Sequence, residues 1–167
     1  GDYAVADAPE LEGLDVPLVA MSADKAHAAV DAARPMVEEI FEKRFNSKVL
    51  AIAPYPPQVV FCNAEVGSLG DLKGKKIRAS GRMTAKFLEA LGAEGITVAF
   101  SEVPGALQKG VVDCAVTGAG SGYSAGWWEV STHLLPIPLG GWDPVVTAIN
   151  LDKWNALSGE TRALIEE

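Results

Sequence analysis

Between residues 75 and 128 the chain alternates short apolar runs with amphipathic ones, and this alternation limits the possible folds more than any other feature. "KKIRAS" reads as a strand. Residues 82–91 read as a helix, with Met83, Phe87, Leu88 and Leu91 on one face. Gly92 stands where helices commonly end in a left-handed residue. "ITVAF" is the next strand and "SEVPGALQKG" a short helix, with Ser101 as its expected N-cap, Pro104 in its first turn and Gly110 closing it. "VVDCAVTG" is a further strand, and "AGSGYSAGWWEV" turns into a helix. Strands separated by single helices imply α/β units with parallel strands, whose sites lie at the carboxyl ends of the strands. Arg78, Phe100 and Thr117 fall at or near such ends.

The flanking segments are less regular. Residues 3–6 read as a short strand and residues 11–25 as a loop containing Pro17. Over residues 27–45, apolar Val30, Ala33, Val37, Ile40 and Phe41 recur at helical spacing, and Pro35 predicts a kink or restart. "KVLAIAP" and "QVVFC" are compact strands, joined by an extended crossover that Pro54, Pro56 and Pro57 fix. "HLLPIPL" and "PVVTAINL" are extended runs, and "DKWNAL" starts a last helical segment. The abrupt opening "GDYAVAD" and the helix that begins at Ser158 and stops after a few turns read together as a fragment of a longer protein.

With 167 residues, 49% hydrophobic, the chain can bury a core. Lys plus Arg number 14 against 22 for Asp plus Glu, a net charge of −8. That argues against nucleic acid or an anionic lipid surface as the main partner, since either needs a basic face. A small anion remains compatible, because a few buried donors outweigh a diffuse distant charge. No apolar run reaches the roughly 18–20 residues of a membrane span, and the opening has neither the basic start nor the apolar stretch of a signal peptide. Cys62 and Cys114 have no metal spacing and read as two small buried hydrophobes, with a disulfide between them left open.

Few residues carry a chemical signal. Arg78 can grip a carboxylate with two parallel hydrogen bonds, or stand at the surface paired with a nearby glutamate, and spacing alone leaves both open. "TGAGSG", residues 117–122, follows a strand, but Gly118, Gly120 and Gly122 do not satisfy a dinucleotide fingerprint and no phosphate-loop lysine follows, so it reads as a close-packed turn. Tyr123, Trp127, Trp128 and Trp142 form an aromatic group; Trp128 is expected in the core, and one or two of the others can line a pocket. His27 and His133 lack partners for catalysis, and the two are too far apart in sequence to argue for a metal. Glu102 and Asp113 are a conceivable acid–base pair, but Asp113 reads better as the start of a strand. Nothing here favours an enzyme or calls for a cofactor.

The runs "DLKGKKIR", "AFSEVPGALQKGVVD" and "WWEV", in that order and spacing, resemble the substrate-binding proteins of tripartite ATP-independent periplasmic (TRAP) transporters, the DctP type. The resemblance extends more loosely over the whole chain. It implies a two-lobed α/β periplasmic-binding-protein-like (type II) fold, incomplete here at both ends. Residues 1–57 and 144–167 would belong to one lobe and residues 58–143 to the other. It also implies a periplasmic receptor that does no chemistry, closes around a small carboxylate and delivers it to membrane permease subunits. The family's ligand arginine falls on Arg78 and its pocket aromatic on Phe100. Gln58 stands where some relatives carry a second arginine, and Thr117 where sialic-acid binders carry an asparagine. With Thr117 and Gly118 in place of the Trp-Glu pair of the keto-acid binders, no cation is expected. One arginine with neutral donors suits a monocarboxylate, and Trp142 with the 123–128 aromatics points to an aromatic or bulky one. The rival readings are a nucleotide-dependent α/β enzyme using "TGAGSG", and a sensor module with the same lobed fold and no permease.

Overall fold

The computed structural model describes residues 7–14, 16–139, 142 and 144–167. A 3₁₀ turn, Pro9–Leu14, occupies part of the expected loop, and the strand expected over residues 3–6 lies outside the described residues. Helix α1 spans Ala23–Phe45. The Ser22 hydroxyl caps it by accepting from the Lys25 N–H, and Asn46, at φ 45°, ends it in a left-handed conformation. Pro35 does not divide this helix as expected. Pro35 and Asp31, whose carbonyl loses its helical donor, are both exposed, so water can satisfy that carbonyl.

α1 covers a two-stranded antiparallel sheet of β1 (Ser47–Pro54) and β7 (Pro144–Asn150), packing Val30 and Val37 against Val49 and Ile52. After β7 come α5 (Leu151–Asn155) and α6 (Gly159–Glu166), capped by the side chains of Asn150 and Ser158.

The second sheet contains β2 (Gln58–Cys62), β3 (Lys76–Ala79), β4 (Glu94–Thr97), β5 (Cys114–Gly118) and β6 (His133–Leu135), in the order β4-β3-β5-β2-β6. β3 runs parallel to β4 and β5, as the strand–helix alternation predicts, whereas β2 is antiparallel to β5 and β6, so the sheet is mixed. Every residue of β2 is buried, because helices and loops cover both faces of the sheet there. Alternate side chains divide the core. Val60, Cys62, Ile77, Ala79, Cys114 and Val116 pack with Leu88 of α2 (Arg82–Ala90) on one face. Val59, Phe61 and Ala115 pack with Trp127 and with Val103, Ala106 and Leu107 of α3 (Val103–Gln108) on the other.

β4 begins two residues upstream of the predicted "ITVAF" and shares only Ile96 and Thr97 with it. Pairing with β3 runs from Lys76↔Glu94 to Ala79↔Thr97, and β3 offers no partner beyond that point. Phe100 therefore opens a 3₁₀ turn, Phe100–Glu102, just past the strand end, and Ser101 lies inside that turn and caps no helix. Asp113 does mark the edge of β5: its carboxylate accepts the Lys76 N–H at 2.8 Å and its own N–H donates to the Lys76 carbonyl at 2.8 Å. The cysteines are corrected from separate hydrophobes to a disulfide. Cys62 and Cys114 face each other across the β2–β5 ladder, fully buried, with Cα atoms 4.0 Å apart. Distance in sequence concealed a pairing that the antiparallel register makes direct. Arg82, at the start of α2, reaches Glu12 of the 3₁₀ turn beside α1, with Nε and Oε1 3.3 Å apart. This contact is an ion pair without hydrogen-bond geometry, since the same Oε1 has no hydrogen-bond partner among the described residues.

Replacing both cysteines by alanine should lower stability by roughly 2–4 kcal/mol, because the cross-link removes conformations from the unfolded chain. The far-ultraviolet circular dichroism should be unchanged, and a denaturant midpoint equal to that of the parent would refute the contribution. Asp71, before β3, accepts from the Gly67 N–H, the Ser68 hydroxyl and the Ser68 N–H, and these bonds hold its pKa below the usual carboxylate value. A depressed pKa stabilises the fold above the ordinary aspartate range, and that contribution is lost as pH falls through the folded value. The melting-temperature gap between Asp71→Asn and the parent should therefore be widest near neutral pH and close in acid. A gap constant with pH would show that the Asp71 bonds are not linked to folding.

Candidate functional site

The carboxyl ends of β3, β4 and β5 and the start of β2 lie along one edge of the five-stranded sheet. Four of the five residues singled out in the sequence sit there: Arg78 near the end of β3, Thr117 near the end of β5, Gln58 opening β2 opposite Gly118, and Phe100 just past β4. Trp142 lies in the later segment between β6 and β7. It is half-buried, and its indole Nε1 is enclosed without a hydrogen-bond acceptor among the described residues.

Arg78 is not a surface residue: only 7% of it is exposed. Ile77 and Ala79, its neighbours on β3, face the core under α2, so alternation turns Arg78 to the opposite face. Its Nε donates to the Val98 carbonyl at 3.0 Å and its Nη1 to the Val116 carbonyl at 2.7 Å. These two acceptors are neutral backbone groups, one following β4 and one within β5, so the strands on both sides of β3 help to orient the guanidinium. Its Cζ lies 5.8 Å from the centre of the Trp127 ring, within cation–π range.

Thr117, which is buried, shares the alternation of Ala115 and therefore the face of Arg78. Gln58, also buried, shares the alternation of Val60 and Cys62 on the other face. Its backbone carbonyl accepts the Leu139 N–H, while its Nε2 has no hydrogen-bond partner among the described residues. A buried amide left without an acceptor costs about 1–3 kcal/mol. Phe100 is half-buried against Trp127, with ring centroids 5.1 Å apart. It also lines an open pocket of about 480 Å³ with Gly120, Ser121, Ser124 and Ala125. Arg78, Thr117 and Gln58 are not in that lining, and neither is any lysine, so "TGAGSG" gains no support as a phosphate cradle. Among the described residues no group of His, Cys, Asp and Glu is arranged to hold a metal ion.

The aromatic group divides differently from the sequence reading. Expected in the core, Trp128 is exposed and stacked on exposed Tyr123, whereas Trp127 is fully buried. The expected helix breaks into α4 (Ala119–Ser124) and a 3₁₀ turn, Trp127–Glu129, with Gly126 between them at φ 72°. A side chain is strained in that conformation, and the reversal it makes sends Trp127 inward and leaves Trp128 outside. α4 also sits close to β2, since a Cβ on Gly122 would lie 2.4 Å from the Phe61 ring. The Trp127 carbonyl accepts from the Ser131 hydroxyl at 2.6 Å and from the Val130 N–H, which fixes the turn. Trp127 was not singled out in the sequence as a site residue. The available signal was the glycine immediately before the tryptophan pair.

Residues 3–167 match the family model for bacterial extracellular solute-binding protein, family 7, of the DctP type. The chain is 28% identical over 135 residues to the ectoine-binding periplasmic protein TeaA of Halomonas elongata, covering 78% of this chain and 39% of that protein. Among solved structures it is similar to DctP7, a Bordetella pertussis extracytoplasmic solute receptor binding pyroglutamic acid. There the identity is 26% and the TM-score 0.85, over 98% of this chain and 54% of the other. It is also similar to a TRAP periplasmic solute binding protein from Desulfovibrio salexigens with bound orotic acid. That match has 22% identity and a TM-score of 0.87, over 98% of this chain and 53% of the other. The chain thus spans about two-fifths of the length of the curated relative and about half that of the solved structures. Its α/β fold is that of the TRAP periplasmic binding proteins, and the chain belongs to the DctP-type family of bacterial extracellular solute-binding proteins.

Proposed function

We propose that this chain forms part of the ligand cleft of a periplasmic solute receptor that binds a small organic acid and delivers it to a TRAP permease without chemical change. Residues 1–57 and 144–167 contribute to one lobe and residues 58–143 to the other. The observation that carries the reading is Arg78, a buried cation at the carboxyl edge of a mixed sheet, aimed by two strand-end carbonyls. In this reading the guanidinium anchors the ligand carboxylate, with charge-assisted bonds of about 1.5–3 kcal/mol each. Thr117 and Gln58 supply neutral hydrogen bonds, an acceptor on the ligand satisfying the Gln58 amide left unpaired among the described residues. Phe100 and Trp142 cover the ligand body. Closure of the lobes excludes water and strengthens the ion pair, and the Arg82–Glu12 contact joins the two parts of the chain.

Two further observations support the reading. The solved relatives hold small acids: pyroglutamic acid in the Bordetella protein and orotic acid in the Desulfovibrio protein. The buried Cys62–Cys114 disulfide fits an oxidising compartment such as the periplasm. One arginine with neutral donors favours a monocarboxylate, and the half-buried Phe100 and Trp142 suit a bulky or aromatic one.

Titration calorimetry with orotate, pyroglutamate, glucuronate and neutral solutes tests this. A monocarboxylate should bind, and Arg78→Ala should weaken it by about 2–5 kcal/mol, roughly 30-fold or more, with little change in fold by far-ultraviolet circular dichroism. Undiminished affinity in the folded variant, or binding of neutral solutes alone, would overturn the assignment.

A further inference from the structure

The Arg78 guanidinium is held by more than its carbonyl acceptors, and the additional element is one the sequence did not single out as part of the site. Trp127 is fully buried, yet it packs against aliphatic residues only in part. Its ring stands 5.7 Å from Phe61 at 77°, 5.1 Å from Phe100 at 33°, and 5.8 Å from the Arg78 Cζ. The indole thus touches the residue proposed as anchor and the residue proposed as cover. Its own position is over-determined: Gly126 sets the turn, Ser131 and Val130 hold its carbonyl, and Val103, Leu107, Val112 and Ala115 share its cluster. The two carbonyl bonds hold the Nε and Nη1 edges of the guanidinium. An aromatic ring at cation–π distance in a dry cluster adds a further contact to the guanidinium, and it favours the charged group in a place that otherwise disfavours charge.

We infer that Trp127 is a positioning residue for Arg78: its ring braces the guanidinium and so bears on how the cleft receives a carboxylate. The same ring seats Phe100, so the anchor and the cover of the site rest on one side chain. A ring at this place serves geometry and electrostatics together, whereas an aliphatic side chain of similar volume fills the space without a π face. This inference rests on the proposed role of Arg78 only for its effect on binding; the packing of guanidinium on indole stands without it.

The test compares Trp127→Leu and Trp127→Phe with the parent in two measurements. The first needs no ligand. In a ¹⁵N-edited spectrum the Arg78 Nε–H resonance should be displaced by the ring current and slow to exchange with solvent. It should move towards the ordinary arginine position and exchange faster in Trp127→Leu, and remain displaced in Trp127→Phe. An Arg78 resonance unchanged in a folded Trp127→Leu protein would overturn the inference. The second measures affinity for whichever of orotate, pyroglutamate and glucuronate binds the parent most tightly. Trp127→Leu should weaken it roughly 5- to 30-fold, the range of a desolvated cation–π contact, while Trp127→Phe should hold it within about 3-fold. Equal losses in both variants, tracking their melting temperatures, would mark a merely structural ring and also overturn it. If none of the three acids binds, or Arg78→Ala leaves their affinity intact, the receptor assignment fails while the resonance still decides the positioning. Should Trp127→Leu not fold, Trp127→Met replaces it, and should neither fold, an Arg78 Nε–H resonance at the ordinary arginine position in the parent overturns the inference.

Discussion

A buried guanidinium constrains the polypeptide around it more than any apolar residue does, because its N–H groups need acceptors where water is scarce. At Arg78 the acceptors include carbonyls from the chain on both sides of its strand. That arrangement requires β3 to lie between two parallel neighbours with their carboxyl ends together, in a register where Arg78 stands beside Ile96 and Ala115. A slip of one residue would turn Arg78 into the apolar cluster under α2 and Ile77 towards the aromatic face. The βαβ units on either side of β3 thus do more than enclose a core: they bring two strand ends to one cation.

The two faces of the sheet carry different burdens. One is apolar except for Gln58 at its end and is cross-linked, with Cys62 and Cys114 joined beside Val60, Ile77 and Leu88. The other carries Arg78, Thr117 and the aromatic cluster of Phe61, Phe100 and Trp127. The division is made within single strands, since Ile77 and Arg78, or Val116 and Thr117, are neighbours in the chain. A rigid face behind a polar one limits how far the edge residues can shift. The β2–β5 ladder is clamped by the disulfide at one end and carries Gln58, Thr117 and Gly118 at the other.

Much of this was legible in the sequence for physical reasons. The apolar stripe of residues 82–91 gave α2, the uninterrupted "QVVFC" gave a strand buried on both faces, and strand–helix alternation placed Arg78 and Thr117 at strand ends. What escaped depends on partners distant in the chain. β4 begins at Glu94, a residue no propensity would select, because β3 supplies a partner there. The disulfide depends on the register between β2 and β5, which neither cysteine's neighbours encode. Pro35 signals a break by its own chemistry, but the helix passes through it because the freed carbonyl is on the exposed side. The carbonyls of Val98 and Val116 could not be found by reading side chains, since every residue has a carbonyl and only the fold chooses which ones meet a cation.

The tryptophan pair shows the same limit at the smallest scale. Trp127 and Trp128 have identical side chains and adjacent positions, yet one is fully buried beside a cation and the other is largely in water. Hydrophobicity cannot distinguish them, and the expectation that a tryptophan at a helix end lies in the core failed for Trp128 because the helix stops before it reaches either residue. What separates them is the backbone at Gly126, whose left-handed conformation redirects the chain between the end of α4 and the next turn. Once Trp127 points inward, its ring meets Phe61 in an edge-to-face pair, and the neighbouring strand presents a guanidinium at cation–π distance. The chemistry of this edge of the sheet therefore follows from a conformational choice made at a residue that has no side chain.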